Sequence, residues 1–305
     1  MSGLPVVVGV DGSETAVAAA RWAGAVADKF GTGLRIVHVE PSIGRNLADS
    51  AAAIAAAAMS YRRDAVEILL KEASEAVRAD LPALPITTEA VAGPVDKALV
   101  EAGATARMVV LGGGAPAPLV AMVAGSATVS TASHAPCPVI AWRHTRRPDG
   151  ERAVVVGFDF TPAAEAALSN AFLFADTLRV PLRVVYSWPM RVPSAPVSIP
   201  LLIDWEALEA AEWVRLTDVV DRHSTAYPGV SAQCFIEPAG PAKALAMHGS
   251  DAQLVVVGTR ERSVLAGALL GSTSMNLLQH SKIPVMICRP GVTPRSDGED
   301  VPTGR

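Results

Sequence analysis

The chain has 305 residues, half of them hydrophobic and 18% charged, with a formal net charge of -4. That length suits two domains of ordinary size, and the apolar share provides for a buried core rather than a disordered polymer. The acidic balance gives nucleic acid no electrostatic reason to bind, and no apolar run reaches the roughly 18 residues of a membrane span.

The N-terminus enters a strand pattern directly, without the basic start of a signal peptide. Strands are expected at Val6–Val10, Arg35–Val39, Thr87–Val91, Met108–Leu111 and Val139–Trp142. These are short, mostly β-branched runs without alternation, as in a parallel sheet buried on both faces. Between them, Glu14–Phe30, Ala51–Arg78, Val95–Thr105 and Ser126–Ser133 carry apolar residues at helical spacing. Ser13 is placed to cap the first helix, and Gly31 with Gly33 to end it. The polar stretch Arg143–Arg152 then interrupts the pattern and reads as a linker.

The pattern restarts. Strands are expected at Ala153–Phe158, Leu182–Tyr186, Ala232–Ile236, Leu254–Val257 and Val285–Cys288, with helices near Ala163–Thr177, Asp204–Ala226, Ala242–Gly249 and Ser272–His280. Val6–Asp11 recurs as Val154–Asp159 and Leu34–Val39 as Leu182–Ser187, both offset by 148. Val109–Gly112 returns as Val255–Gly258, Gly125-Ser126 as Gly271-Ser272 and Pro138–Ile140 as Pro284–Met286, all offset by 146. Five landmarks in one order make a duplication. The expected architecture is α/β: two tandem, doubly wound, parallel five-stranded sheets of Rossmann-like type. The boundaries fall at 1–146 and 152–291, followed by a disordered tail, 292–305. The loops Pro41–Ser50 and Pro189–Pro200 read equally as lids or as loose connections.

Three scattered cysteines, Cys137, Cys234 and Cys288, show no zinc spacing and fit a reducing cytoplasm. No P-loop, strand-linked GxGxxG or GxSxG motif is present. His134 and His280 end helices, where the dipole favours imidazolium, and His38 reads as a satisfied strand residue. Ligands of open parallel sheets bind beyond the carboxyl ends of the strands. Asp11 and Asp159 end the first strand of each unit, and Gly112 and Gly258 end the fourth. Gly125-Ser126 and Gly271-Ser272 open the last helix. Each Gly-Ser reads equally as a phosphate cradle, with Ser126 and Thr128 or Ser272 and Ser274 adding hydroxyls, or as a plain N-cap.

These residues resemble the universal stress protein family. The resemblance is carried by Asp in VVVGVDGS, Gly after the fourth strand, then Gly-Ser and a final strand after Pro-Cys-Pro, and it covers nearly the whole chain, once per unit. It implies a cytoplasmic stress-response protein that binds ATP, with Mg2+ as an accompanying ion, and signals by nucleotide state with at most weak ATPase turnover. The family's ATP-binding branch carries G-x2-G-x9-G-[ST]. Gly112 to Gly125 and Gly258 to Gly271 keep that length, but Ala115 and Glu261 stand at the second glycine. By the resemblance, Asp11 holds the adenosine, the Val39 backbone reads adenine, and Gly112, Gly125, Ser126 and Thr128 surround ribose and phosphates. The second set is Asp159, Ser187, Gly258, Arg260, Gly271, Ser272 and Ser274, with no catalytic residue or metal ligand assigned. Glu261 beside phosphates makes the first unit the better ATP candidate. The family's dimers imply an internal pseudo-dimer through Val139–Trp142 and Val285–Cys288, and a homodimer on top of it. The competing readings are a nucleotide-free dimeric scaffold working through protein partners and a slow ATPase.

Overall fold

A computed structural model describes residues 3–40, 52–112, 127–143, 152–188, 204–259 and 270–292, and for 52–62 the backbone alone. The loops 41–50 and 189–200, most of the linker and the tail from residue 293 lie outside the described residues.

The chain divides into two compact units. In the first, β1 (Val6–Gly9), α1 (Glu14–Lys29), β2 (Leu34–Glu40), α2 (Ala52–Arg78), β3 (Ile86–Ala92), α3 (Val95–Gly103), β4 (Met108–Gly112), α4 (Ala127–His134) and β5 (Val139–Trp142) follow in order. The second runs β6 (Val154–Phe158), α5 (Pro162–Leu178), β7 (Leu182–Ser187), α6 (Trp205–Ala226), β8 (Ala232–Glu237), α7 (Pro241–Gly249), β9 (Leu254–Gly258), α8 (Ser272–His280) and β10 (Val285–Cys288). Every expected strand and helix is present, with ends displaced by a residue or two.

Within the first unit the strands stand in the order β3-β2-β1-β4-β5, all parallel. Within the second the order is β8-β7-β6-β9-β10, also parallel. Register is conserved between the copies: Val6 pairs with Leu34 and Met108, and Val154 with Leu182 and Leu254. The central strands β1, β4, β6 and β9 are buried along nearly their whole length. β3 departs from the expectation of burial on both faces, since Thr87, Thr88, Glu89 and Ala90 are exposed. It is an edge strand of its unit's sheet, and polar side chains on an edge discourage pairing with another chain.

Two glycine contacts place helices on opposite faces of each sheet. A Cβ on Gly9 would meet Leu99 of α3, whereas one on Gly112 would meet the backbone of Thr15 and Ala16 in α1. Gly157 faces Leu245 of α7, and Gly258 faces Ala163 and Ala164 of α5. The alanine-rich stretches of α1 and α5 allow this approach, since Ala16, Ala19, Ala163 and Ala164 are all buried. The buried strand-facing side chains supply the main stabilising term, each contributing about 1.5–3 kcal/mol for a full-sized aliphatic residue.

Both first helices end in the same hydrogen-bond pattern with different residues. Gly31 turns left-handed at φ +63, and Thr32 N–H donates to the Ala27 carbonyl. At the matching end of α5, Arg179 takes φ +57, and Val180 N–H donates to the Ala175 carbonyl. This is the Schellman motif, and glycine is its favoured residue because a Cβ is strained in that conformation.

Candidate functional site

The carboxyl end of each central strand runs into a turn that fixes a carboxylate. Asp11 accepts a hydrogen bond from the Ser13 amide at 3.0 Å, and the Ser13 hydroxyl oxygen accepts from the Ala16 N–H at 3.1 Å. Thr161 repeats the device: its amide and its hydroxyl donate to Asp159 at 3.2 and 2.6 Å, while its oxygen accepts from the Ala164 N–H. Each carboxylate is thus oriented by the residue that caps the next helix. Burial pushes the Asp11 carboxyl up, but hydrogen bonds from the Ser13 side chain and amide outweigh it. With a smaller pull from His38, they hold it below the ordinary carboxylate range.

The strand order brings the other candidates alongside. β1 lies between β2, which carries Val39, and β4, which ends at Gly112. In the second unit β6 lies between β7, which ends at Ser187, and β9, which ends at Gly258. Thr128 stands in the first turn of α4, and Gly271 is the N-cap of α8 with Ser272 as its first helical residue. Among the described residues no side chain caps α8, whose first-turn N–H groups have no partner within the helix. Ser274 is 1% exposed, and its hydroxyl points at the Gly258 carbonyl at 3.5 Å, a long contact that joins the helix start to the strand end. The Ser187 hydroxyl donates to the Ala239 carbonyl at 2.6 Å, and Ser187 pairs with Glu237 in the β7–β8 ladder. Gly125, Ser126 and Arg260, with Ala115 and Glu261, lie outside the described residues.

Gly112 and Gly258 have an additional reason for lacking a side chain: the close approach of α1 and α5. A Cβ on Gly112 would lie 3.0 Å from the Thr15 carbonyl oxygen, and one on Gly258 would clash with the Ala163 carbonyl. Two buried polar atoms without a hydrogen-bond partner among the described residues sit at neighbouring positions. They are Nε1 of Trp142, the register partner of Gly112, and Oγ1 of Thr259, the residue after Gly258. An orphaned buried donor carries a desolvation cost, so a polar ligand at these strand ends is chemically suitable.

The histidines serve the fold. Nδ1 of His134 donates to the Ser130 carbonyl at 2.8 Å and Nδ1 of His280 to the Asn276 carbonyl at 3.0 Å, each within its own helix. His38 donates from Nδ1 to the Val10 carbonyl at 2.8 Å. Cys137 and Cys288 are buried, and burial pushes the Cys234 thiol up to about 11. Among the described residues no cluster of His, Cys, Asp and Glu could hold a metal ion, and no helix is long and apolar enough to cross a membrane.

The two sites differ at a position that the sequence motifs did not single out. Gly12 follows Asp11 with φ +86, and Phe160 follows Asp159 with φ +59. A left-handed aromatic residue costs about 1–2 kcal/mol. Its ring packs edge-on with Phe158 at 4.9 Å and with Tyr186 at 5.1 Å between centroids, and the Arg215 guanidinium lies 3.7 Å over it. Such contacts contribute about 0.5–1.5 kcal/mol each and together offset the strain. The Glu212 carboxylate lies beside the Tyr186 phenol. Burial, and secondarily that carboxylate, push its pKa above the usual range. Asp-Gly-Ser against Asp-Phe-Thr was the available signal.

The universal stress protein family model matches residues 4–143 and again 151–289. The chain belongs to this family. A universal stress protein of Mycobacterium tuberculosis (strain H37Rv) is 32% identical over 298 residues, 93% of this chain and 96% of its own length. A universal stress protein of Mycolicibacterium smegmatis is 29% identical over 93% of this chain and 97% of its own. In structure, a universal stress protein from Archaeoglobus fulgidus covers 95% of this chain and all of its own at 17% identity, with a TM-score of 0.65. The tandem arrangement is therefore shared along almost the full length with universal stress proteins of mycobacteria.

Proposed function

We propose that this universal stress protein binds ATP and acts as a stress-response factor through its nucleotide state, with little or no turnover. The observation that carries the reading is the repeated frame at the strand ends. In both units an aspartate pinned by the next helix cap stands between a neighbouring strand with a backbone to read adenine and a strand ending in glycine. The uncapped start of α8 adds N–H groups suited to phosphate oxygens. Asp11, Val39, Gly112, Gly125, Ser126 and Thr128 would hold ATP in the first unit. Asp159, Ser187, Gly258, Arg260, Gly271, Ser272 and Ser274 form the second candidate set. The strand-end glycines and the orphaned Trp142 and Thr259 donors suit such a group, whose own chemistry would be that of a charged phosphate chain, with Mg2+ where present.

Native mass spectrometry of freshly purified protein, followed by calorimetry with added ATP, tests this. A mass increment of a bound nucleotide or a saturable heat supports it; a bare polypeptide that gives no heat with ATP sinks it. Release of ADP above background by the purified protein would instead favour a slow ATPase.

A further inference from the structure

We propose that Arg143 and Trp142, at the end of β5, take the terminal phosphates of the nucleotide in the first unit and so select a triphosphate over shorter forms. The inference rests on the ATP-binding reading and adds two residues to its first candidate site.

Each of these consecutive residues carries a buried donor with no acceptor: Nε1 of Trp142 and Nε of Arg143. Trp142 is 2% exposed, and a buried indole N–H ordinarily finds a partner. Arg143 is half-buried, and among the described residues no carboxylate faces it. Burial alone acts on its guanidinium, drawing the pKa below the ordinary value. A desolvated cation without a counter-charge is costly to a fold, and so is an unmet donor. Two of them in succession point to an anion that completes both. The second unit lacks the pair: Cys288 stands at the position of Trp142, and Arg289, the counterpart of Arg143, is engaged.

The sheet sets these donors at its ligand end. Trp142 pairs in register with Gly112, and register partners in a parallel ladder project to the same face. The Cβ that Gly112 lacks would point at Thr15 and Ala16, so the indole lies on the face covered by α1, the helix that follows the Asp11 turn. Arg143 comes directly after the strand, at the carboxyl end where open parallel sheets take ligands. With adenosine held at β1, the phosphates pass the end of β4 at Gly112. The next strand is β5, two spacings or about 10 Å from β1. A monophosphate ends short of that strand, and a triphosphate extends to it. The guanidinium offers a planar fork of donors that matches phosphate oxygens, and the indole adds a group that can only donate.

The test is calorimetry of ATP, ADP, AMP and adenosine against the full chain, with thermal melting as the folding control. Arg143→Met, which keeps the apolar stem, is expected to weaken ATP about tenfold or more while AMP and adenosine change less than about twofold. It should also melt no lower than the wild type, because an unpaired charge has left a half-buried position. Trp142→Phe keeps the ring and loses the N–H, and should weaken ATP about threefold or more in the same selective way. Unchanged ATP affinity in the folded variants overturns the inference. So does an equal loss for ATP and adenosine, which would mark Arg143 and Trp142 as structural. A wild type that binds no ATP refutes the ATP-binding reading, and inorganic triphosphate is then the probe. Triphosphate binding that Arg143→Met abolishes would support the anion site at β5, and no binding would overturn that too.

Discussion

The side chain that Gly258 lacks would sit inside the carbonyl group of Ala163. Helix α5 therefore rests directly on the end of β9, with no room between backbone and backbone. At the matching point of the first unit, Gly112 faces Thr15, Ala16 and Ala19 at 3.0 to 3.2 Å, a tight contact that needs a smaller shift to admit a methyl group. Overpacking a rigid contact costs more than overpacking one that can give. Gly258→Ala is expected to lower stability by about 3 kcal/mol and Gly112→Ala by about 1 kcal/mol. Urea denaturation of both variants measures the difference; equal losses would contradict it.

Arg179 pays a conformational cost that Gly31 does not. With φ +57 at the end of α5, Arg179→Gly removes about 1–2 kcal/mol of strain while adding chain entropy to the unfolded state. The net expectation is a gain of about 0.5–1 kcal/mol. A rise of a few degrees in melting temperature is the readout.

The helix caps are expected to matter in both units. Ser13→Ala and Thr161→Ala each remove an acceptor for a first-turn N–H, at about 1 kcal/mol. Thr161→Ser keeps both hydrogen bonds and should restore most of the loss. If either alanine variant melts like the wild type, the cap contributes nothing at that helix.

Arg183 grips Asp251 with two hydrogen bonds, at 2.6 and 3.1 Å, and also donates to the His248 carbonyl. The hydrogen bond from Arg183 comes first among the causes that hold the Asp251 carboxyl below its ordinary range, ahead of a small opposing effect of burial. A carboxyl whose folded pKa is depressed adds stability above its unfolded pKa, near 3.9, and loses it as pH falls through the folded value. The pair is largely exposed, so Asp251→Asn is expected to cost only about 0.5 kcal/mol at pH 7 in low salt. The two proteins should converge as pH falls through the lowered folded pKa of Asp251, and also at high salt. A difference that persists at low pH would mean that asparagine disturbs packing, not charge.

The sheets were legible because buried parallel strands write themselves as uninterrupted apolar runs, and Val6–Gly9 and Val154–Phe158 do so twice. The Ser13 cap and the Gly31 stop were legible for the same reason: their chemistry is local. β3 was read as buried because Thr87–Val91 was grouped with the short, mostly β-branched runs, yet its place at the edge depends on strand order, which periodicity does not encode. Gly112 and Gly258 read as strand-end glycines suited to a ligand. That they also admit a helix is a tertiary fact. The left-handed turn at Phe160 was hidden because an aromatic residue argues against positive φ, and only the surrounding cluster of Phe158, Tyr186 and Arg215 sustains it. The polar partners of Asp11 and Asp159 were two residues away, but only the geometry reveals one hydroxyl serving both carboxylate and helix.

The shared register has an evolutionary corollary. Val6 meets Leu34 and Met108 just as Val154 meets Leu182 and Leu254, although the repeat shortens by two residues between the second and fourth strands. The shortening was absorbed outside the strands, so pairing survived, and the left-handed turn after Asp11 and Asp159 was kept while its residue changed from glycine to phenylalanine. A recombination event joining the copies at corresponding strand positions would keep the strand ladders in step, whereas the helix seats at Gly112 and Gly258 would have to change with the segment exchanged.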